Sequence, residues 1–138
     1  MLLALASKAL DFLVSQVHHP GMVEVIATDE FEAWFIDLDR PLTDAVIRAV
    51  RKLELAGTAL GYPLSSAVNG ASFALRELRT ETHGRALRIF YSFDPRRDAV
   101  LLIGGDKSGD RRFYERMVPV AERIWRDYLA EQRAGKHS

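Results

Sequence analysis

SFALRELRTETHGRALRIFYSFDPRRDAVLLIGGDK, residues 72–107, holds three strand-like runs joined by two short turns. SFALRELRT and RALRIFYSF are separated by ETHG, and DPRRD leads from the second run into AVLLIGG. Connections this short join antiparallel neighbours, so the stretch predicts a three-stranded meander. Side chains alternate across a strand, which puts Glu77 and Arg79 on one face and Arg76 and Leu78 on the other. In the next run Arg88 shares its face with Ala86, Phe90 and Ser92. A guanidinium in an otherwise apolar strand is unfavourable unless paired or solvated, so Arg88 is the most informative residue of the meander. A salt bridge to Glu77 is the bland explanation of it.

Upstream, the chain supplies cover for that sheet. VEVIA reads as a short strand, and Thr28 stands where it can cap a helix over DEFEAWFIDL. Pro41 suits the first turn of PLTDAVIRAVRKLELAG, which Gly57 ends. Leu42, Ala45, Val46, Ala49, Val50 and Leu53 line one face of that helix, and Arg48, Arg51 and Lys52 the other. ALGYPLSSAVNG, rich in turn formers, reads as a loop. Downstream, helical RRFYERM is followed by an expected kink at Pro119 and by VAERIWRDYLAEQ, with Val120, Ile124, Trp125, Tyr128 and Leu129 on an apolar face. The expected fold is α+β: a small, mostly antiparallel sheet with a three-strand meander, packed against two N-terminal helices and a C-terminal helix.

Residues 1–21 stand apart. Leu2, Leu5, Ala6, Ala9, Leu10, Leu13 and Val17 have helical spacing before HHPG, so an N-terminal helical extension is expected ahead of a domain over 22–133, with 134–138 as a frayed tail. Met22 is an alternative start. The extension would either cover a surface of the domain or make a homodimer contact.

Composition narrows the function. The 138 residues are 48% hydrophobic, enough for one core, and the absence of cysteine excludes thiolate nucleophiles, disulfides and thiolate metal sites. No apolar run is long enough to cross a bilayer, because Lys8 and Asp11 interrupt the first one. Net charge is zero, yet Met22–Leu75 holds four basic and eight acidic residues while Arg76–Arg112 holds nine and six. A basic middle points to an anionic partner for one face, or to a solvated strand face carrying scattered arginines. His18, His19, His83 and His137 fall in a linker, a turn and a tail, which assembles neither a metal site nor a serine triad. Gly104 and Gly105 lack phosphate-loop spacing and serve unusual dihedrals or close backbone approach. Lys107 follows them, with Arg111 and Arg112 close behind. Basic side chains from two strands and a loop can converge on one phosphodiester and neutralise charge during its transfer. Phe113 and Tyr114 could stack on bases or donate a proton, and core packing explains them equally well.

DEFEAWFIDL, LGYPL, LRELR, LRIFYSFDPRRDAVLLIGGDKSGD and YERMVPVAERIW, in this order across about residues 22–130, resemble the RelE/HigB-type toxins of bacterial toxin-antitoxin modules, especially a phage-related branch. The resemblance implies a cytoplasmic, metal-free and cofactor-free endoribonuclease that cuts messenger RNA on the ribosome, opposed by a cognate antitoxin encoded nearby. Carried over by motif, it implies Arg79 and Arg88 as phosphate ligands, Lys107 as a ligand or aid to proton transfer, and Tyr114 as a stacking residue or acid. Arg76, Arg85, Arg111 and Arg112 would contact RNA phosphates. Relatives commonly carry basic or histidine side chains just before the ELR motif, where this chain has Ala71, Ser72, Phe73 and Ala74. The alternative is therefore a non-cleaving interaction module of the same fold, which binds an antitoxin or poisons another target such as gyrase.

Overall fold

The computed structural model describes residues 22–135. The expected leader over 1–21, His18, His19, and the end of the tail with His137 lie outside the described residues. The elements are β1 (Val25–Ala27), α1 (Asp29–Ile36), α2 (Arg40–Ala56), β2 (Ser65–Ala67), β3 (Arg76–Thr82), β4 (Arg85–Phe93), β5 (Ala99–Asp106) and α3 (Phe113–Arg133). The sheet order is β1-β5-β4-β3-β2. The α+β architecture and the meander β3-β4-β5 are as expected. Two short strands extend it: β1 runs parallel to β5, and β2 lies inside the segment expected to be a loop, antiparallel to β3.

Each turn has a local cause. Thr82 pairs with Arg85 across His83 and Gly84, whose φ angles of 51° and 73° make the two-residue hairpin that matches strand twist. At the other turn Asp94 Oδ1 accepts from the amides of Arg96 and Asp98 at 3.0 and 2.9 Å. Its Oδ2 accepts from Tyr128 of α3 at 2.7 Å, so one buried carboxylate shapes the turn and anchors a helix.

The helices sit on opposite faces of the sheet. Phe31, Phe35, Val46, Val50 and Leu53 of α1 and α2 pack on Leu78, Leu87, Ile89, Tyr91 and Leu101. Phe113, Met117, Val118, Ala121 and Ile124 of α3 pack on Leu75, Phe90, Val100 and Leu102. α3 is continuous through Pro119, the position of the expected kink. Proline at this position removes one bond to the Glu115 carbonyl, on an exposed side of the helix where water can replace it.

A register shift adjusts β5 to both layers. Phe90 pairs with Ile103 but Tyr91 pairs with Leu101, leaving Leu102 as the extra residue of a bulge. Beyond it Gly104 faces α1 and Gly105 faces α3. A Cβ at Gly104 would meet the Trp34 ring, and one at Gly105 would meet Phe113. Neither glycine has positive φ, so of the two expected uses close approach is the one realised, once on each face.

Thr28 ties α1 to the sheet. Its hydroxyl accepts from the Phe31 amide at 3.1 Å and lies 2.9 Å from the carbonyls of both Leu101 and Leu102, to which it donates. Thr28→Val keeps the shape and removes the cap, and should lower stability by about 1–2 kcal/mol in urea melts. An unchanged midpoint would mean that the cap is idle.

Candidate functional site

The sheet places four charged side chains and a phenol together on the α3-facing side of β3 and β4. Glu77 and Arg79 alternate onto the same face, and the register sets Arg79 beside Arg88 and Glu77 beside Phe90. Glu77, 5% exposed, is the hub. Its Oε1 accepts from Tyr114 at 2.7 Å, and its Oε2 accepts from Ser66 at 3.1 Å and from Arg79 at 3.5 Å. Arg88, with a side chain only 3% exposed, places Nε 3.9 Å from Glu77 Oε1. Its NH1 donates to Glu81 Oε2 at 2.7 Å and to the Leu87 carbonyl at 2.9 Å. The expected Arg88–Glu77 pair is present, and the closer partner is Glu81.

Burial explains why these groups are so tightly coupled. Taking a guanidinium out of water costs several kcal/mol unless an anion and hydrogen bonds replace the solvent. Burial works against the charge on Arg88, but the hydrogen bonds and charge interactions with Glu81 and Tyr114 prevail and raise its pKa. Burial first, then the hydrogen bond and charge of Glu77, push the Tyr114 phenol above its ordinary 10.0, with Arg88 opposing. Tyr114 is therefore a proton carrier at neutral pH. Phe90 and Phe113 hold its ring edge-on, at 6.1 and 5.2 Å between centroids.

The other expected site residues are dispersed. Arg76 lies on the opposite face of β3, donating from Nε to Ser65 at 3.2 Å and to Tyr91 at 3.3 Å. Arg85 pairs with Asp106 at 2.7 Å. Arg111 and Arg112 are exposed in the turn before α3, with Arg112 Nε 4.0 Å from Glu115. Lys107 is half-buried just past β5, and its amide donates to the Ala86 carbonyl at 2.8 Å, two residues along β4 from Arg88. Among the described residues its side chain makes no ion pair.

Three participants were not singled out from the sequence. Glu77 was read only as an ion-pair partner, and Glu81 was not read as part of a site. Tyr62 is 79% exposed with the Arg79 guanidinium 5.7 Å from its ring centre, which offers a base a flat surface beside a cation. An aromatic in the turn-rich GYPL stretch was the available signal for it.

The cluster suits phosphate chemistry without a cofactor. Two guanidinium groups can hold and neutralise a phosphodiester, a protonated phenol can give a proton, and Glu77 fixes both Arg79 and the phenol. As it stands the site is neutral: Arg79 and Arg88 are balanced by Glu77 and Glu81. Among the described residues no group of three or more His, Asp or Glu side chains is placed to hold a metal ion, and no helix is long and apolar enough to cross a membrane.

Residues 33–126 match the family model of phage-derived Gp49-like proteins. The chain is 38% identical over 113 residues to a Mycobacterium tuberculosis protein named "Putative toxin HigB3", covering 80% of this chain and 97% of that relative. It is 32% identical over 128 residues to "Putative toxin HigB2" of the same organism, covering 83% of this chain and 64% of that relative.

Proposed function

This chain belongs to the phage-derived Gp49-like family of RelE/HigB-type toxins, and on that premise we propose that it is the toxin of a toxin-antitoxin module and inhibits translation by cutting messenger RNA on the ribosome. A cognate antitoxin is its protein partner. The observation that carries the nuclease reading is the convergence of Arg79, Arg88 and Tyr114 on the buried Glu77 carboxylate.

The chemistry needs no external nucleophile. The RNA's 2′-hydroxyl gives up its proton to water and attacks the adjacent phosphorus, and the bond to the 5′-oxygen of the next nucleotide breaks, leaving a cyclic phosphate and a 5′-hydroxyl. Arg79 and Arg88 bind the phosphate and neutralise the charge that grows on its oxygens. Tyr114 gives its proton to the leaving 5′-oxygen. Lys107, beside the end of β4, adds a cation for the phosphate, and Tyr62 stacks on a neighbouring base. Arg85, Arg111 and Arg112 are left for backbone phosphates of ribosomal RNA. Arg76, tied into the opposite face, has a structural part.

The neutral site and the uncharged stretch Ala71–Ala74 favour a second reading, in which the same surface binds without cutting. Induced expression of the chain in a bacterial host, followed by labelled-methionine incorporation, tests the toxin reading. Incorporation should collapse within minutes and recover when the neighbouring antitoxin gene is co-expressed. Undiminished incorporation at high expression would overturn it.

Tyr114→Phe keeps the ring packing and removes the proton, and should lower the cleavage rate by about 10²-fold. Because the phenol's pKa is raised, its proton is present throughout the neutral range and is lost only above pH 10.0. The wild-type rate profile should thus show no decline assignable to Tyr114 below that pH. A Tyr114→Phe protein with the wild-type rate would remove the phenol from the mechanism.

A further inference from the structure

We propose that Glu81 is a built-in competitor for phosphate: its carboxylate occupies the Arg88 guanidinium where a phosphodiester oxygen binds, and it must swing out for RNA to engage. This rests on the reading of the cluster as a phosphate site.

The two carboxylates of the cluster differ in freedom. Glu77 is 5% exposed and receives three hydrogen bonds, from Tyr114, Ser66 and Arg79, so it is fixed. Glu81 is 64% exposed, lies one residue from the end of β3, and among the described residues its carboxylate is held only by Arg88, at 2.7 Å. Arg88 is the reverse case, with 3% of its side chain exposed. RNA reaches it only where a group now against it leaves, and Glu81 is the exposed one of its two carboxylate neighbours.

The exchange conserves charge. A carboxylate and a phosphodiester each bring one negative charge and two oxygens, so Arg88 passes from one anion to the other without standing buried and unpaired. Arg88 Nε is fully buried and has no hydrogen-bond partner among the described residues, and Glu77 stands too far from it, at 3.9 Å, to serve as acceptor. That N–H lies on the edge it shares with NH2, turned away from NH1, so a phosphate taking Glu81's place at NH1 would make its two-pronged contact on the terminal NH1–NH2 edge. The resting pair makes the fold tolerate an internal arginine, and it sets the threshold that an RNA phosphate has to overcome.

The test is a titration with inorganic phosphate, following the Arg88 Nε–H signal by NMR in the wild type, Glu81→Gln and Glu81→Asp, with Arg88→Lys used for assignment. Glu81→Gln keeps the length and loses the charge, whereas Glu81→Asp keeps the charge and loses the reach. Both variants should respond at a phosphate concentration about tenfold lower than the wild type, the difference between a charge-assisted contact and its loss. A shift of less than threefold in Glu81→Gln, or no response in any protein, would overturn the proposal. So would an effect of Gln without one of Asp, since the carboxylate would then act through its field and not by contact. If both variants take phosphate more readily but cut no messenger RNA on ribosomes, Glu81's role stands and the nuclease reading falls.

Discussion

Arg88→Met is expected to reduce messenger RNA cleavage by about 10²–10³-fold, the range found when one preorganised donor to a developing oxyanion is removed. It should also destabilise the fold by about 1–3 kcal/mol, because the buried Glu77 would lose one of its two arginines and keep only Arg79, at 3.5 Å. The two effects separate in a cycle. Adding Glu77→Gln to Arg88→Met removes the buried charge left with Arg79 alone, so the double variant should recover part of the lost stability in urea melts while remaining inactive. Arg88→Lys should keep a charge for Glu77 but lose the fork, and should fold better than it cuts. Full activity in any folded protein without Arg88 would place the chemistry elsewhere.

The second large effect belongs to a residue with no side chain. At Gly104 a Cβ would lie 2.3–2.5 Å from three atoms of the Trp34 ring, and such overlap forces either the indole or α1 to move. Gly104→Ala should therefore lower stability by about 1–3 kcal/mol. At Gly105 the nearest atom is a Phe113 ring carbon at 2.8 Å, and Phe113 supports Tyr114. Gly105→Ala should thus weaken cleavage beyond what its stability change explains. Calorimetry and single-turnover cleavage of both variants would check this, and a Gly104→Ala protein as stable as the wild type would show that Trp34 is free to leave.

Much of this architecture was legible because local chemistry spelled it out. ETHG supplied the two residues with positive φ that close β3 onto β4, and the helical spacing from Leu42 to Leu53 announced the face that α2 buries. Alternation set Arg79 beside Glu77 in one strand and Arg88 beside Phe90 in the next, and the register of the hairpin brings the two arginines to one face. The parts that were not legible depend on contacts between distant segments. β2 is Ser65–Ala67, a sequence with little strand character that pairs because β3 offers an edge. The bulge at Leu102 leaves no mark in AVLLIGG, where every residue before the glycines is apolar. The assignment of α1 and α2 to one face and α3 to the other follows chain topology, since β4 and β5 carry large apolar side chains on both faces.

The site shows the same division. The arginines announced themselves by standing in apolar runs, but their partners could be settled only in three dimensions. Glu77 and Glu81 lie on the same face at i and i+4 of one strand, and both can reach Arg88. Glu81 makes the close contact, because Glu77 is already engaged by Tyr114 from a helix more than thirty residues later in the chain. The basic surplus of the middle segment misled in one respect. Arg76 and Arg85 contribute to it, yet both are committed to neighbours away from the Glu77 cluster.

The most direct test of the central claim is primer extension on a defined messenger RNA incubated with purified protein, ribosomes and a chelator that spares ribosomal magnesium, set against Arg88→Lys. The account predicts cuts that require ribosomes, persist with the chelator, leave 5′-hydroxyl ends and fall by two orders of magnitude or more in the variant. Intact messenger RNA in the presence of active ribosomes and folded wild-type protein, or equal cutting by Arg88→Lys, would contradict it.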